Sequence, residues 1–181
     1  MQCIGKDAFQ PLKQPVRHPL ELVVKHIGDP YSTGESRLEA LWRTLVTNCA
    51  SNVQVAERNM FEKALSAEAT ESIDAGIRDP RARIPLGSTF MLDLVPLVYR
   101  AMSGRRFFVA DNGFMDLAPT DVKKGDRISV LFGVEVPMFL LDHKNGTMVV
   151  IGACYRHSLM ESEGLKDYSE GRVESETFLL S

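Results

Sequence analysis

The sequence predicts an α+β protein in which about three helices cover an antiparallel β meander or small barrel of about five to six strands. Three observations favour this class. Apolar residues recur with a period of about 3.6 residues in the first half of the chain. The period changes to about 2 in the second half, where Asp111-Asn112-Gly113 and Asn145-Gly146 supply hairpin turn signals. A chain of 181 residues with 44% hydrophobic and 25% charged residues fits one globular domain.

The N-terminal part begins with an expected extended arm. Residues 1–19 carry three prolines and no apolar period, which is typical of an arm without regular structure. Residues 20–27 are rich in β-branched side chains and precede a Gly-Asp-Pro turn, so the pattern predicts a strand. The single folded domain should therefore begin at about residue 20.

Three helices should follow. Thr33 or Ser36 can cap the first, whose apolar stripe comprises Leu38, Leu41, Trp42, Leu45 and Val46. A second helix is predicted over about 52–69, with a narrower apolar face. The third is predicted over about 88–102, where Pro96 indicates a kink.

The strands of the predicted meander share apolar alternation and glycine-containing connections. They cover residues 106–110, 114–117, 127–132, 136–141 and 147–155. Residues 166–181 form an acidic tail with a weak pattern, in which 177–180 can return to the sheet as a last short strand.

Composition excludes several classes of function. The net charge of -3 provides no basic field for nucleic acid. No run of about 18 apolar residues occurs, so no membrane span is predicted. Cys3, Cys49 and Cys154 are widely separated and lack a CxxC pair, which favours a reducing, cytoplasmic location and argues against a cysteine zinc site. No other cluster has ligand spacing, so neither a metal nor a cofactor is expected.

Few residues stand out as candidates for chemistry. Cys154 and His157 are a nucleophile and a base three residues apart, but a strand would direct them to opposite faces. A structural role is therefore preferred for Cys154, whereas His157 is open to either role. Arg106 can bind an anion or simply mark a charged strand entry. Trp42 can belong to the core or to a pocket wall.

Five segments in a fixed order resemble the C-terminal region of fungal heterokaryon-incompatibility (HET) proteins. They lie at residues 22–25, 41–45, 104–115, 125–137 and 150–163, the last beginning Val-Ile-Gly-Ala-Cys-Tyr-Arg-His. The resemblance covers roughly residues 20–165 and implies an ascomycete source. Ser158 departs from the family pattern, which has a glycine after the histidine. We expect the N-terminal incompatibility domain of these proteins, which resembles the TIR fold, to be missing.

The resemblance leaves two hypotheses for function. One is a non-catalytic regulatory or protein-interaction module derived from a HET protein. The other, preferred at this point, is a cofactor-free cyclase of fungal natural-product biosynthesis, because similar short proteins occur with such pathways. A concerted [4+2] cyclisation of the Diels-Alder type requires only a pocket that orients the reacting groups.

The cyclase hypothesis assigns specific residues to a pocket between the helices and the meander. Arg106 and His157 are the predicted catalytic hydrogen-bond donors that polarise a carbonyl. The predicted substrate-binding residues are Trp42, Phe107, Phe114, Met115 and Tyr155. The expected partner is an apolar, polyketide- or terpenoid-like small molecule, and a homodimer is left open.

Overall fold

The computed structural model describes residues 16–47, 75, 89–143, 146–160 and 162–181. Its helices are α1 (Arg17–His26), α2 (Arg37–Leu45), α3 (Thr89–Met102) and α4 (Glu163–Ser169). The predicted helix over 52–69 and residues 1–15 of the predicted arm lie outside the described residues. Among the helices that are described, none has the length and apolar character that crossing a membrane requires.

Helix α1 occupies the segment for which a strand was predicted, so that prediction is wrong. Pro19, Val23 and Ile27 are buried at four-residue spacing, whereas Val24 is 51% exposed. This spacing places the buried residues on one helical face, and its packing outweighs the β propensity of the branched side chains. Pro19 is tolerated because an N–H in the first helical turn has no partner within the helix.

Helix α2 confirms the predicted cap and apolar stripe. The Glu39 N–H donates to the Ser36 hydroxyl oxygen at 3.2 Å. One of the backbone N–H groups that lack a partner in the first turn of the helix is thereby hydrogen-bonded. Leu41, Trp42 and Leu45 are almost fully buried. Helix α3 agrees with the prediction over 88–102 and contains Pro96 in its interior.

Seven strands follow the expected order of the second half, with shifted boundaries. They are β1 (Arg105–Val109), β2 (Met115–Pro119), β3 (Arg127–Ser129), β4 (Met138–Asp142), β5 (Thr147–Ala153), β6 (Tyr155–Arg156) and β7 (Leu179–Leu180). The β1–β2 hairpin turns at Gly113, whose φ of 82° suits a residue without Cβ. Gly146 likewise has a positive φ, of 73°, between β4 and β5, whereas Asn145 lies outside the described residues.

The described strands form two sheets and no closed barrel, rather than one continuous meander. The first has the order β1-β2-β6 and the second the order β3-β4-β5-β7. The chain changes sheet at Cys154, whose N–H donates to the Pro137 carbonyl at 2.9 Å. A Cβ at Gly152 would lie 3.0 Å from Cγ of Pro119, so this glycine permits the close approach of β5 and β2.

Two hydrophobic clusters hold these layers together. The larger joins helices α1, α2 and α3 to one face of the first sheet and includes Trp42 and Phe107. The smaller lies between the sheets, where Phe108 and Phe139 pack edge-to-face at a centroid distance of 5.8 Å. The α+β class and the helical cover of the sheet are thus confirmed.

The C-terminal segment is more structured than the sequence pattern indicated. The predicted acidic tail contains most of α4, and the expected return of residues 177–180 is present as β7. Strand β7 pairs in parallel with β5, with Leu179 opposite Thr147 and Leu180 opposite Met148.

Candidate functional site

His157, a predicted catalytic donor, forms part of a network around Glu35. Its Nε2 lies 2.6 Å from Oε1 of Glu35, and its Nδ1 lies 3.2 Å from the Tyr155 hydroxyl. The Thr33 hydroxyl donates to the same Glu35 oxygen at 2.9 Å, and Arg43 Nε lies 3.3 Å from the other. Both ring nitrogens of His157 thus have protein contacts, and the side chain links the end of β6 to the segment before α2.

Arg106, the other predicted donor, lies at a different place. Its guanidinium donates to the Thr120 carbonyl beyond the end of β2. Strand alternation places Arg106 on the same face of β1 as Phe108, whereas Phe107 points to the helices. The structure therefore does not bring Arg106 and His157 together, because each contacts a different element.

The predicted substrate-binding residues do come together, in the larger hydrophobic cluster. Trp42, Phe107, Met115 and Tyr155 are all buried there. Phe114 is partly buried and packs against this cluster, with its ring edge-to-face to Tyr31 at 6.3 Å. These side chains fill the interface between helices and sheet at the place where the pocket was predicted. Their role in substrate binding stays a prediction.

Sequence analysis missed a buried ion pair behind this cluster. Arg156 donates to both carboxylate oxygens of Asp116, with Nε–Oδ1 and Nη2–Oδ2 distances of 2.6 and 2.8 Å. Asp116 is fully buried, and the Arg156 guanidinium carbon lies 4.9 Å from the Phe114 ring centroid. The sign of this pair in the sequence is a carboxylate, Asp116, within the otherwise apolar strand Met115–Pro119.

Mutual contact favours the charged form of both partners and opposes the effect of burial. Burial lowers the pKa of Arg156, but its hydrogen bonds to Asp116 and the negative charge there outweigh burial, so the net pKa is raised. Burial raises the pKa of Asp116, and the guanidinium opposes that effect only in part, so the net pKa of Asp116 is raised as well. The geometry indicates a structural link between β2 and β6.

Cys154 is buried in the smaller cluster, and burial raises the pKa of its thiol to about 12. Because the thiolate is the reactive form, we expect alkylation of native Cys154 by iodoacetamide near neutral pH to be about a thousandfold slower than in denatured protein. Mass spectrometry of the peptide that contains residue 154 measures both rates. Comparable rates in native and denatured protein would contradict a structural role for this cysteine.

An accessible apolar groove lies beside α4. It has a volume of about 690 Å³, and its apolar lining includes Val130, Phe132, Leu159, Leu165, Tyr168 and Val173. We call it the α4 groove. It lies between α4, the residues that follow β3, and the C-terminal segment. A Cβ at Gly164 would lie only 2.9 Å from Cγ2 of Val130, so this glycine allows α4 to approach the segment after β3.

Large side chains remain exposed along this groove. Phe132 and Tyr168 are 67% and 44% exposed, and their rings pack edge-to-face at a centroid distance of 5.5 Å. Val130, Val134, Leu165 and Val173 are also exposed and line the groove. Sequence analysis did not predict it, although the three-residue spacing of Leu165 and Tyr168 was a weak sign of an apolar helix face.

A match to a family model shows the family to which the chain belongs. The family model of the Het-6 beta-barrel domain matches residues 88–179, about half of the chain. The chain belongs to the Het-6 beta-barrel domain family. No curated protein and no solved structure shows significant similarity to it. This assignment agrees with the resemblance to the C-terminal region of HET proteins.

The matched residues contain α3, α4, strands β1 to β6 and every residue that lines the α4 groove except Leu180, with which β7 ends. Helix α1, the segment with Glu35, and helix α2 with Trp42 all precede the matched residues. Within the described ranges, no group of three or more His, Cys, Asp and Glu side chains is arranged to hold a metal ion.

Proposed function

We propose that this Het-6 beta-barrel protein is a non-catalytic interaction module, which binds an amphipathic segment of a partner protein in the α4 groove. The observation that carries the proposal is the set of large apolar side chains exposed along one continuous depression. Contiguous apolar surface of this kind is typical of binding sites, because leaving it in water costs free energy that a partner recovers.

Aromatic side chains would provide most of the affinity. The rings of Phe132 and Tyr168 already contact each other edge-to-face, so they lose little conformational freedom when a partner covers them. Aromatic anchors at the centre of an interface commonly dominate its binding free energy. Phe132 and Tyr168 are therefore the expected anchors.

Charge around the groove favours a basic partner. Residues 162–181 carry five acidic side chains (Glu163, Asp167, Glu170, Glu174, Glu176) and two basic ones (Lys166, Arg172), which gives a local net charge of -3. Three of the acidic residues, Asp167, Glu174 and Glu176, line the groove itself together with one basic residue, Arg127, so the lining carries a net charge of -2. A segment with an apolar face flanked by Lys and Arg would match both properties.

A cofactor-free cyclase is the second candidate function, and the groove volume favours it. About 690 Å³ falls in the range of sites for small molecules. However, neither Arg106 nor His157 lines the groove. A cyclase that used this groove would need other donors, such as Arg127, whose guanidinium is engaged by Glu176 at 2.8 Å. The interaction module requires no such rearrangement.

Binding of a fluorescent amphipathic peptide of leucine and lysine, measured by fluorescence anisotropy, tests the proposal of an interaction module. We expect Phe132→Ser and Tyr168→Ser each to weaken binding about tenfold, since each removes an aromatic anchor. Tyr99→Ser is the matched control, because Tyr99 is 51% exposed on α3 and does not line the groove. A peptide of leucine and glutamate should bind more weakly than the lysine peptide.

Two outcomes would contradict the module. One is equal weakening by Tyr99→Ser, which would indicate unspecific adsorption to exposed rings. The other is equal affinity for the lysine and glutamate peptides, which would remove the argument from charge. Thermal unfolding of each variant, followed by circular dichroism, verifies that the compared proteins are folded.

A further inference from the structure

A second depression, on a different part of the molecule, gathers positive charge. Its volume is about 540 Å³, and it is lined by Arg106, Thr120, Asp121, Val122, Lys123 and Lys124. Three cationic side chains and one carboxylate give a local charge of +2, on a chain whose net charge is -3. We propose that this depression binds the phosphate group of a phosphomonoester. The proposal is independent of the α4 groove.

The turn that carries the two lysines is fixed by its own interactions. Val122 is buried in the smaller cluster, and its N–H donates to the Pro119 carbonyl at 3.2 Å. The Lys123 N–H donates to Asp126 Oδ2 at 2.6 Å. Because both ends of the turn are anchored, Lys123 and Lys124 are held beside Arg106 before any ligand arrives, and binding would require little ordering of the backbone.

The neighbouring carboxylate does not neutralise these lysines. Asp126 is 5% exposed and accepts a backbone hydrogen bond within the turn. Neither Lys123 nor Lys124 forms an ion pair with any residue in the described part of the chain. By contrast, Arg17, Arg43, Arg127, Arg156 and Arg172 each contact a carboxylate.

A phosphomonoester is the ligand class that fits these charges. Its phosphate carries close to two negative charges at neutral pH and offers three acceptor oxygens, which matches the local charge of +2. Lysine ammonium groups bind phosphate as point charges, and Arg106, which also donates to the Thr120 carbonyl, adds a third positive charge beside them. The volume leaves room for the organic part of the molecule. The phosphate can belong to a soluble metabolite or to a lipid headgroup.

Titration of the full chain with phenyl phosphate tests the proposal. Backbone amide NMR spectra, recorded at constant ionic strength maintained with chloride, should show saturable shifts centred on residues 106 and 120–124. We expect the double variant Lys123→Gln/Lys124→Gln to weaken binding about tenfold, because it removes two of the three positive charges. The matched control Lys25→Gln/Lys166→Gln removes two lysines outside the depression and should change the affinity by less than about twofold.

Shifts spread over the whole surface, or equal weakening in the two double variants, would overturn the proposal. If the double variant Lys123→Gln/Lys124→Gln does not fold, the single variant Lys124→Gln is measured in its place. Vesicles with phosphatidic acid identify the source: tighter binding to them than to phenyl phosphate indicates a lipid headgroup, and the reverse order indicates a soluble ligand. Equal binding to phosphatidic acid and phosphatidylserine vesicles would refute recognition of a phosphomonoester.

Discussion

Asp116→Asn is expected to lower the free energy of unfolding by about 3 to 5 kcal/mol, the usual cost of removing one partner from a buried ion pair. The substitution keeps the shape of the side chain but leaves the Arg156 guanidinium buried without its counter-charge. Arg156 is held by two hydrogen bonds to Asp116 and can reach little solvent. Urea unfolding monitored by circular dichroism measures the loss.

The double variant Asp116→Asn/Arg156→Met is the control for this prediction. It removes the stranded positive charge and places an apolar side chain among Phe114 and the cluster between the sheets. A buried neutral amide costs less free energy than a buried charge without a partner, so the double variant should be more stable than Asp116→Asn alone. A loss below about 1 kcal/mol in the single variant would show that the pair is not the structural link described here.

Trp42→Ala is expected to cost about 3 to 5 kcal/mol of stability, because it leaves a large cavity among α1, α2 and the first sheet. Trp42 is 1% exposed and is the only tryptophan in the chain. The control Tyr99→Ala removes an exposed ring and should change stability by no more than about 0.5 kcal/mol. Urea unfolding followed by circular dichroism compares the two proteins.

This comparison also bears on the pocket predicted around Trp42. A side chain that lined an open pocket could be truncated at a cost near that of Tyr99→Ala, since little packing would be lost. Equal stability of the two variants would therefore contradict a core role for Trp42 and would support the predicted substrate site.

Local patterns predicted those elements whose determinants are close in sequence. The Trp42 stripe and the Ser36 cap lie within one helix, and Gly113 lies in the turn that it forms. Residues 20–27 show where this fails, since Val23 and Ile27 satisfy β propensity equally well, and packing against α2 and β1 decides for a helix. The close approach of the two sheets at Gly152 and Pro119 joins residues far apart in sequence, which local patterns do not reveal.

The candidate sites show the same difference between features that local sequence patterns predict and features that depend on distant residues. Periodicity correctly gathered Trp42, Phe107, Met115 and Tyr155, but it cannot tell a filled core from a pocket wall, because both require inward apolar side chains. The α4 groove joins residues after β3 to α4 and the C-terminal segment, and the latter two are weakly patterned. The depression at Lys123 combines the turn after β2 with Arg106 from strand β1, so sequence spacing alone did not reveal it.

The most direct test of the interaction module is the footprint of the leucine–lysine peptide in backbone amide NMR spectra of the full chain. The account predicts that the largest shifts fall on residues that line the α4 groove, above all Val130, Phe132, Leu165 and Tyr168. Shifts concentrated instead at Glu35 and His157, or no saturable shifts at all, would contradict it.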